Sequence, residues 1–105
     1  MPMNKIEYLM LCLGEESAEV AKEASKCIRF TNGHRHANHT NLERLQIEYS
    51  QLLAVIFKLR EEGVEIELIP EEFEKKLRNL YDFMDVSRGL GTLEPLEDLP
   101  DAGDN

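Results

Sequence analysis

The stretch Ile6-Glu7-Tyr8-Leu9-Met10-Leu11-Cys12-Leu13-Gly14-Glu15-Glu16-Ser17-Ala18-Glu19-Val20-Ala21-Lys22-Glu23-Ala24-Ser25-Lys26-Cys27-Ile28 decides the fold class. Its apolar residues Ile6, Leu9, Met10, Leu13, Val20, Ala24, Cys27 and Ile28 recur at the three-and-four spacing of one helical face. No proline interrupts it, and Gly14 is the one weak helix former of consequence. The spacing predicts one long amphipathic helix, with Thr31-Asn32-Gly33 as its stop signal.

Downstream, residues 31–40 (Thr-Asn-Gly-His-Arg-His-Ala-Asn-His-Thr) are polar and aperiodic, and read as a loop. Thr40 or Asn41 caps a second helix, with Glu43 three residues beyond Thr40 as a capping box requires. That helix is expected from about Leu42 to Glu62, stopping at Gly63. Its middle, Leu52-Leu53-Ala54-Val55-Ile56-Phe57, is apolar all round, so it belongs at a bundle's centre or against another chain. Val64, Ile66 and Leu68 alternate with acidic residues and, lacking a partner strand, read as a connection. Pro70 suits the first turn of a third helix, and Glu71 and Glu72 suit its positive dipole end. Phe73, Leu77, Leu80, Tyr81 and Met84 carry that helix to about Val86. The expected fold is all-α: a bundle of two long antiparallel helices and a third shorter one, completed by oligomerisation. Residues 1–93 form the helical domain, and 94–105 an acidic, flexible tail.

The chain's 105 residues suit one domain of modest stability. Twelve Lys and Arg against 21 Asp and Glu give a formal charge of −9. Such a surface does not neutralise phosphates, so direct nucleic-acid binding is not expected, nor attraction to anionic membranes. An acidic protein handling anionic substrates needs metal ions between itself and them. Cys12 and Cys27 lie about 22 Å apart along one helix, too far for a disulfide. With no signal-peptide core or membrane-length apolar run, a reduced cytoplasmic protein is the expectation.

Chemistry concentrates in carboxylates. Glu15, Glu16, Glu19 and Glu23 crowd the first helix, and Glu16, Glu19 and Glu23 share one acidic strip. At 100° per residue Glu16 stands about 70° from the centre of the apolar stripe and Glu19 about 130°. Glu48 stands about 70° from the centre of the second helix's apolar face. If the two helices pack antiparallel by those stripes, their edge carboxylates face one another and repel unless a cation lies between. Magnesium is the expected cation, since it takes hard oxygen ligands and keeps waters that a phosphate can displace. The competing reading is a solvated acidic face, with Lys22 and Lys26 near Glu19 and Glu23.

Three segments, Glu15-Glu16-Ser17-Ala18-Glu19-Val20, Ser25-Lys26-Cys27-Ile28-Arg29-Phe30 and Glu48-Tyr49-Ser50-Gln51-Leu52-Leu53-Ala54-Val55, resemble the MazG-like all-α nucleoside triphosphate pyrophosphohydrolases. The stretch Tyr81 to Leu93 also looks like the end of small phage and bacterial members, so the likeness covers roughly residues 5–93. It implies an E-x-x-E helix and an E-x-x-D helix that together hold Mg2+, with Mn2+ an alternative. Glu16, Glu19 and Glu48 would be metal ligands, and Gln51, standing where the family has aspartate, a marginal one. Glu15 or Glu19 would take the water's proton. The implied reaction cleaves a nucleoside triphosphate into the monophosphate and pyrophosphate, in a homodimer or homotetramer. Lys26, Arg29 and Arg88 are the candidate phosphate-binding cations. His34, His36 and His39 lack a fourth ligand of suitable spacing and are not read as a zinc site. Because Gln51 brings no charge, a catalytically weakened nucleotide-binding or regulatory relative is the first alternative. An acidic helical interaction protein is the second.

Overall fold

A computed structural model of the chain describes residues 1–96. Three helices dominate it: α1 (Lys5–Phe30), α2 (Asn41–Glu61) and α3 (Pro70–Leu90). The all-helical class holds, with α1 and α3 slightly longer than the periodicity indicates and α2 shifted by one residue toward the N-terminus. Residues 31–40 are not a plain loop. They carry a minimal antiparallel hairpin, β1 (Arg35–His36) and β2 (His39–Thr40), with His36 paired to His39. Ala37 turns the hairpin with φ 59, a left-handed conformation usually left to Gly or Asn. The chain divides into two compact units, Met1–Ile66 and a second that begins at Glu67. The tail expected over residues 94–105 falls mostly on 97–105, outside the described residues.

In the first unit, α1 and α2 form an antiparallel hairpin. At one end Asn41 Nδ2 donates to the Thr31 carbonyl at 2.9 Å, and at the other Lys5 Nζ pairs with Glu62 at 3.4 Å. Capping boxes open both helices: Asn4 with Glu7 on α1, and Thr40 with Glu43 on α2. α1 ends at the expected Thr31-Asn32-Gly33 stop, although the residue there with positive φ is Thr31 and not Asn or Gly. Thr31 is the cap, at φ 70 and ψ 158, a region that β-branched residues avoid. Backbone bonds from Asn41 N to the His34 carbonyl and Leu42 N to the Asn32 carbonyl lock the connection in place.

The packing seam is not where the apolar stripe alone would put it. On α1 the buried and half-buried positions include Leu9, Leu13, Glu16, Val20, Glu23 and Cys27, alternating by four and three. On α2 they include Asn41, Leu45, Glu48, Leu52, Val55 and Leu59, at the same spacing. Alternation of three and four is how two helices interlock along a shared line. The seam therefore runs along the acidic edge of α1. Ile28, counted in the apolar stripe, is 86% exposed, and Ile6 and Met10 are exposed as well. Within the Leu52–Phe57 run, Leu53 and Phe57 are exposed while Leu52, Val55 and Ile56 are half-buried. Among the described residues Leu59 is the one fully buried apolar side chain.

In the second unit Pro70 opens α3 with Glu71 and Glu72 in its first turn. Gly91, at φ 81, ends it, and the Thr92 amide returns to the Ser87 carbonyl at 2.9 Å. Phe73, Leu77, Leu80, Tyr81 and Met84 are exposed along α3. No described helix is long and apolar enough to cross a membrane.

Candidate metal centre

Three of the seam positions shared by α1 and α2 are glutamates: Glu16, Glu23 and Glu48. Glu19 stands half-buried beside them. A seam normally takes apolar side chains, because a carboxylate loses its hydration there and gains nothing from a like neighbour. Here the effect is visible on Glu48. Loss of solvent pushes its carboxyl above the ordinary value of 4.5, and the negative charges of Glu16, Glu19 and Glu23 push it further the same way. Glu48 on α2 thus feels the charge of Glu16 and Glu19 on α1.

Glu23 joins them. The residue is 4% exposed, and one carboxylate oxygen, Oε1, receives Lys26 Nζ at 3.3 Å. Its Oε2 is buried without a hydrogen-bond partner, and so is Oε2 of Glu16. Buried carboxylate oxygens are ordinarily satisfied, and two orphans in one polar seam mark where positive charge or donors are wanted. Glu23 belongs to the acidic strip visible in the sequence, but nothing in the family motif points to it. Its signal was its place seven residues from Glu16, two turns along the same line. Among the described residues, no three His, Cys, Asp or Glu side chains already stand at the mutual spacing that would enclose an ion.

The remaining sequence-level candidates fall in different places. Glu15 is exposed, and Gln51 is exposed and outside the seam, one position before Leu52. Lys26 is half-buried. Its side chain is 29% exposed and bound to Glu23, and it also lines a cavity of about 240 Å3 with Phe30, His34, His36 and Asn41. Arg29 is exposed, with its guanidinium 6.0 Å from the centre of the Phe30 ring. Arg88 belongs to the unit that begins at Glu67, where it pairs with Asp85 at 3.1 Å. Cys12 and Cys27 are free thiols.

Compared with protein-family models, curated proteins and solved structures, the chain matches none.

Proposed function

We propose that the protein is a magnesium-dependent nucleoside triphosphate pyrophosphohydrolase of the MazG-like kind, acting in the cytoplasm. The supporting observation is the carboxylate seam: Glu48 pressed by three other glutamates, with buried oxygens of Glu16 and Glu23 unpartnered. Four carboxylates gathered in a helix interface are costly without a cation to neutralise them. Glu16, Glu19 and Glu48 would hold Mg2+, with Mn2+ as a substitute. These side chains must close on the ion, since they do not enclose one already.

The bound ion supplies charge neutralisation for the triphosphate and activation of water. The protein's own groups do the rest. Water adds across the bridge between the α and β phosphates. One product takes its hydroxyl, and the other leaves with the bridging oxygen and a proton. Glu19, half-buried beside Glu48, is better placed than exposed Glu15 to receive that proton. Lys26 is paired with Glu23 and lines the cavity at the end of α1, so its ammonium suits an outer phosphate. The cavity's Phe30 ring, His34, His36 and Asn41 offer an apolar surface and hydrogen-bonding groups to the rest of a nucleotide. Arg29 and Arg88 serve as further phosphate contacts only if substrate or assembly reaches them.

The chain acts as a homodimer or homotetramer in this proposal. Exposed Ile28, Leu53 and Phe57 on the first unit leave apolar surface that a second copy would cover. Sedimentation at two or four times 12.1 kDa is the expected result.

Exposure of Gln51 favours a second reading, in which the fold binds nucleotide but turns it over poorly. Pyrophosphate release over a panel of ribo- and deoxynucleoside triphosphates, with Mg2+ or Mn2+, separates the two. Turnover by the unaltered protein that is lost in Glu16→Gln supports the enzyme. Activity appearing only in Gln51→Asp supports the weakened relative. No turnover in either, with no rise in melting temperature on adding metal or nucleotide, leaves an acidic interaction protein.

A further inference from the structure

We infer that the cavity at the end of α1 is a nucleobase site, where Asn41 Oδ1 accepts a hydrogen bond from the base's exocyclic amino group. This rests on the nucleotide reading above and deepens it, assigning the part of the ligand that is neither phosphate nor metal. Size sets the first limit. At about 240 Å3 the cavity falls below the roughly 300–1,000 Å3 of pockets that enclose whole drug-sized ligands, so it takes one ring system. One wall is aromatic: the Phe30 and His34 ring centres stand 5.9 Å apart, with the planes tilted by 36°. Phe30 is nonetheless 48% exposed, which leaves ring surface for a flat heterocycle to cover. Asn41 lines the same cavity and is 2% exposed. Its Nδ2 donates to the Thr31 carbonyl at 2.9 Å, and because a carbonyl only accepts, this bond fixes which way the amide points. Oδ1 is then the one atom of that side chain able to accept a ligand's hydrogen bond. An exocyclic amino group projects beyond the base ring and so reaches a recessed acceptor best. The frame is braced as well: the Asn41 backbone amide donates to the His34 carbonyl at 3.0 Å, and that of Leu42 to the Asn32 carbonyl at 3.1 Å. A pre-set acceptor costs little to use when a base arrives, and it disfavours a ring that offers no donor. Lys26, also in the lining, brings an ammonium for the phosphate that a nucleotide carries beyond its base.

Nucleoside binding to the full-length protein in metal-free buffer, followed by saturation-transfer NMR on the base protons, tests this apart from any hydrolysis. Two pairs of probes decide it: adenosine with purine riboside, and cytidine with its counterpart lacking the amino group. Within each pair only that group differs. In at least one pair the amino-bearing nucleoside should bind about five- to a hundredfold more tightly, the penalty for leaving a buried acceptor unpaired. Phe30→Ala should weaken that nucleoside about fivefold or more, as loss of a stacking surface does. Asn41→Ala should bring the two members of the pair to within about twofold of each other, a change that a purely structural loss would not produce. If Asn41→Ala fails to fold, which its circular dichroism would reveal, the preference of the unaltered protein and the Phe30→Ala result still decide the matter. Equal binding within both pairs by the unaltered protein, or affinity unchanged in Phe30→Ala, overturns the site. So does the absence of nucleoside binding at millimolar concentration, and Mg2+-dependent turnover of triphosphates would then still stand. Amino-selective binding without such turnover supports the site and overturns the enzyme reading instead.

Discussion

Glu16 on α1 and Glu48 on α2 both stand half-buried in the helix seam, and the charge of Glu16 helps to raise the Glu48 carboxyl. That coupling links residues from two separate helices, and it exists only because the α1–α2 seam runs through acidic positions. Without a cation the arrangement works against folding, and the consequences are measurable.

Metal-free stability should fall as pH rises past the ordinary glutamate value. Glu48 is raised, first by desolvation and then by its acidic neighbours, so its contribution is fully present below 4.5 and is lost as pH climbs through the raised value. Glu43 runs the opposite way. Hydrogen bonds from the Thr40 backbone and side chain lower it, so its contribution is present above 4.5 and fades as pH falls. Urea unfolding across this range should show a decline on the alkaline side that disappears in Glu48→Gln. A decline unchanged in that variant would place its source elsewhere.

The strained end of α1 should respond in opposite directions to two substitutions. Thr31 sits at φ 70 and ψ 158, where strain costs of order 1–3 kcal/mol. Thr31→Gly should therefore gain about 1 kcal/mol after the chain-entropy cost of glycine is subtracted. Asn41 is 2% exposed and holds the Thr31 carbonyl from its side chain. Asn41→Ala should lose about 1–3 kcal/mol, the penalty for stranding a buried partner. Equal shifts of the same sign in urea midpoint for both variants would contradict this.

Leu59 should be the costliest apolar truncation in α2. It is fully buried, while Leu53 and Phe57 nearby are exposed. Leu59→Ala should lose about 2–5 kcal/mol, and Leu53→Ala well under half of that in dilute, monomeric protein. Comparable losses for both would mean that Leu53 is also covered in solution.

Much of this was legible in the residues. Periodicity gave three helices, and the Thr40–Glu43 spacing gave the capping box that the structure contains. Simple angular arithmetic put Glu16 and Glu48 at the edges of their helices, and both are half-buried in the seam. It also assumed that each helix packs by the middle of its apolar stripe. That assumption failed because a two-helix seam selects a three-and-four line, and on α1 that line passes through Glu16 and Glu23 while leaving Ile28 outside. Burial of Glu23 depends on what α2 lays over it, which no local pattern encodes. The hairpin at 35–40 escaped because its strands are two residues long and its turn uses Ala37 where glycine or asparagine would have signalled it.

Thermal unfolding with and without Mg2+, compared between the unaltered protein and Glu48→Gln, bears most directly on the carboxylate seam as a cation site. At a hundred times the dissociation constant a ligand of the native state adds about 2.7 kcal/mol, which corresponds to a Tm rise of roughly 10 °C in a domain near this size. The expected result is that rise in the unaltered protein, a higher metal-free Tm in Glu48→Gln because repulsion is relieved, and a much smaller response to Mg2+ in the variant. Identical Mg2+ responses in the two proteins, or none in either, would contradict it.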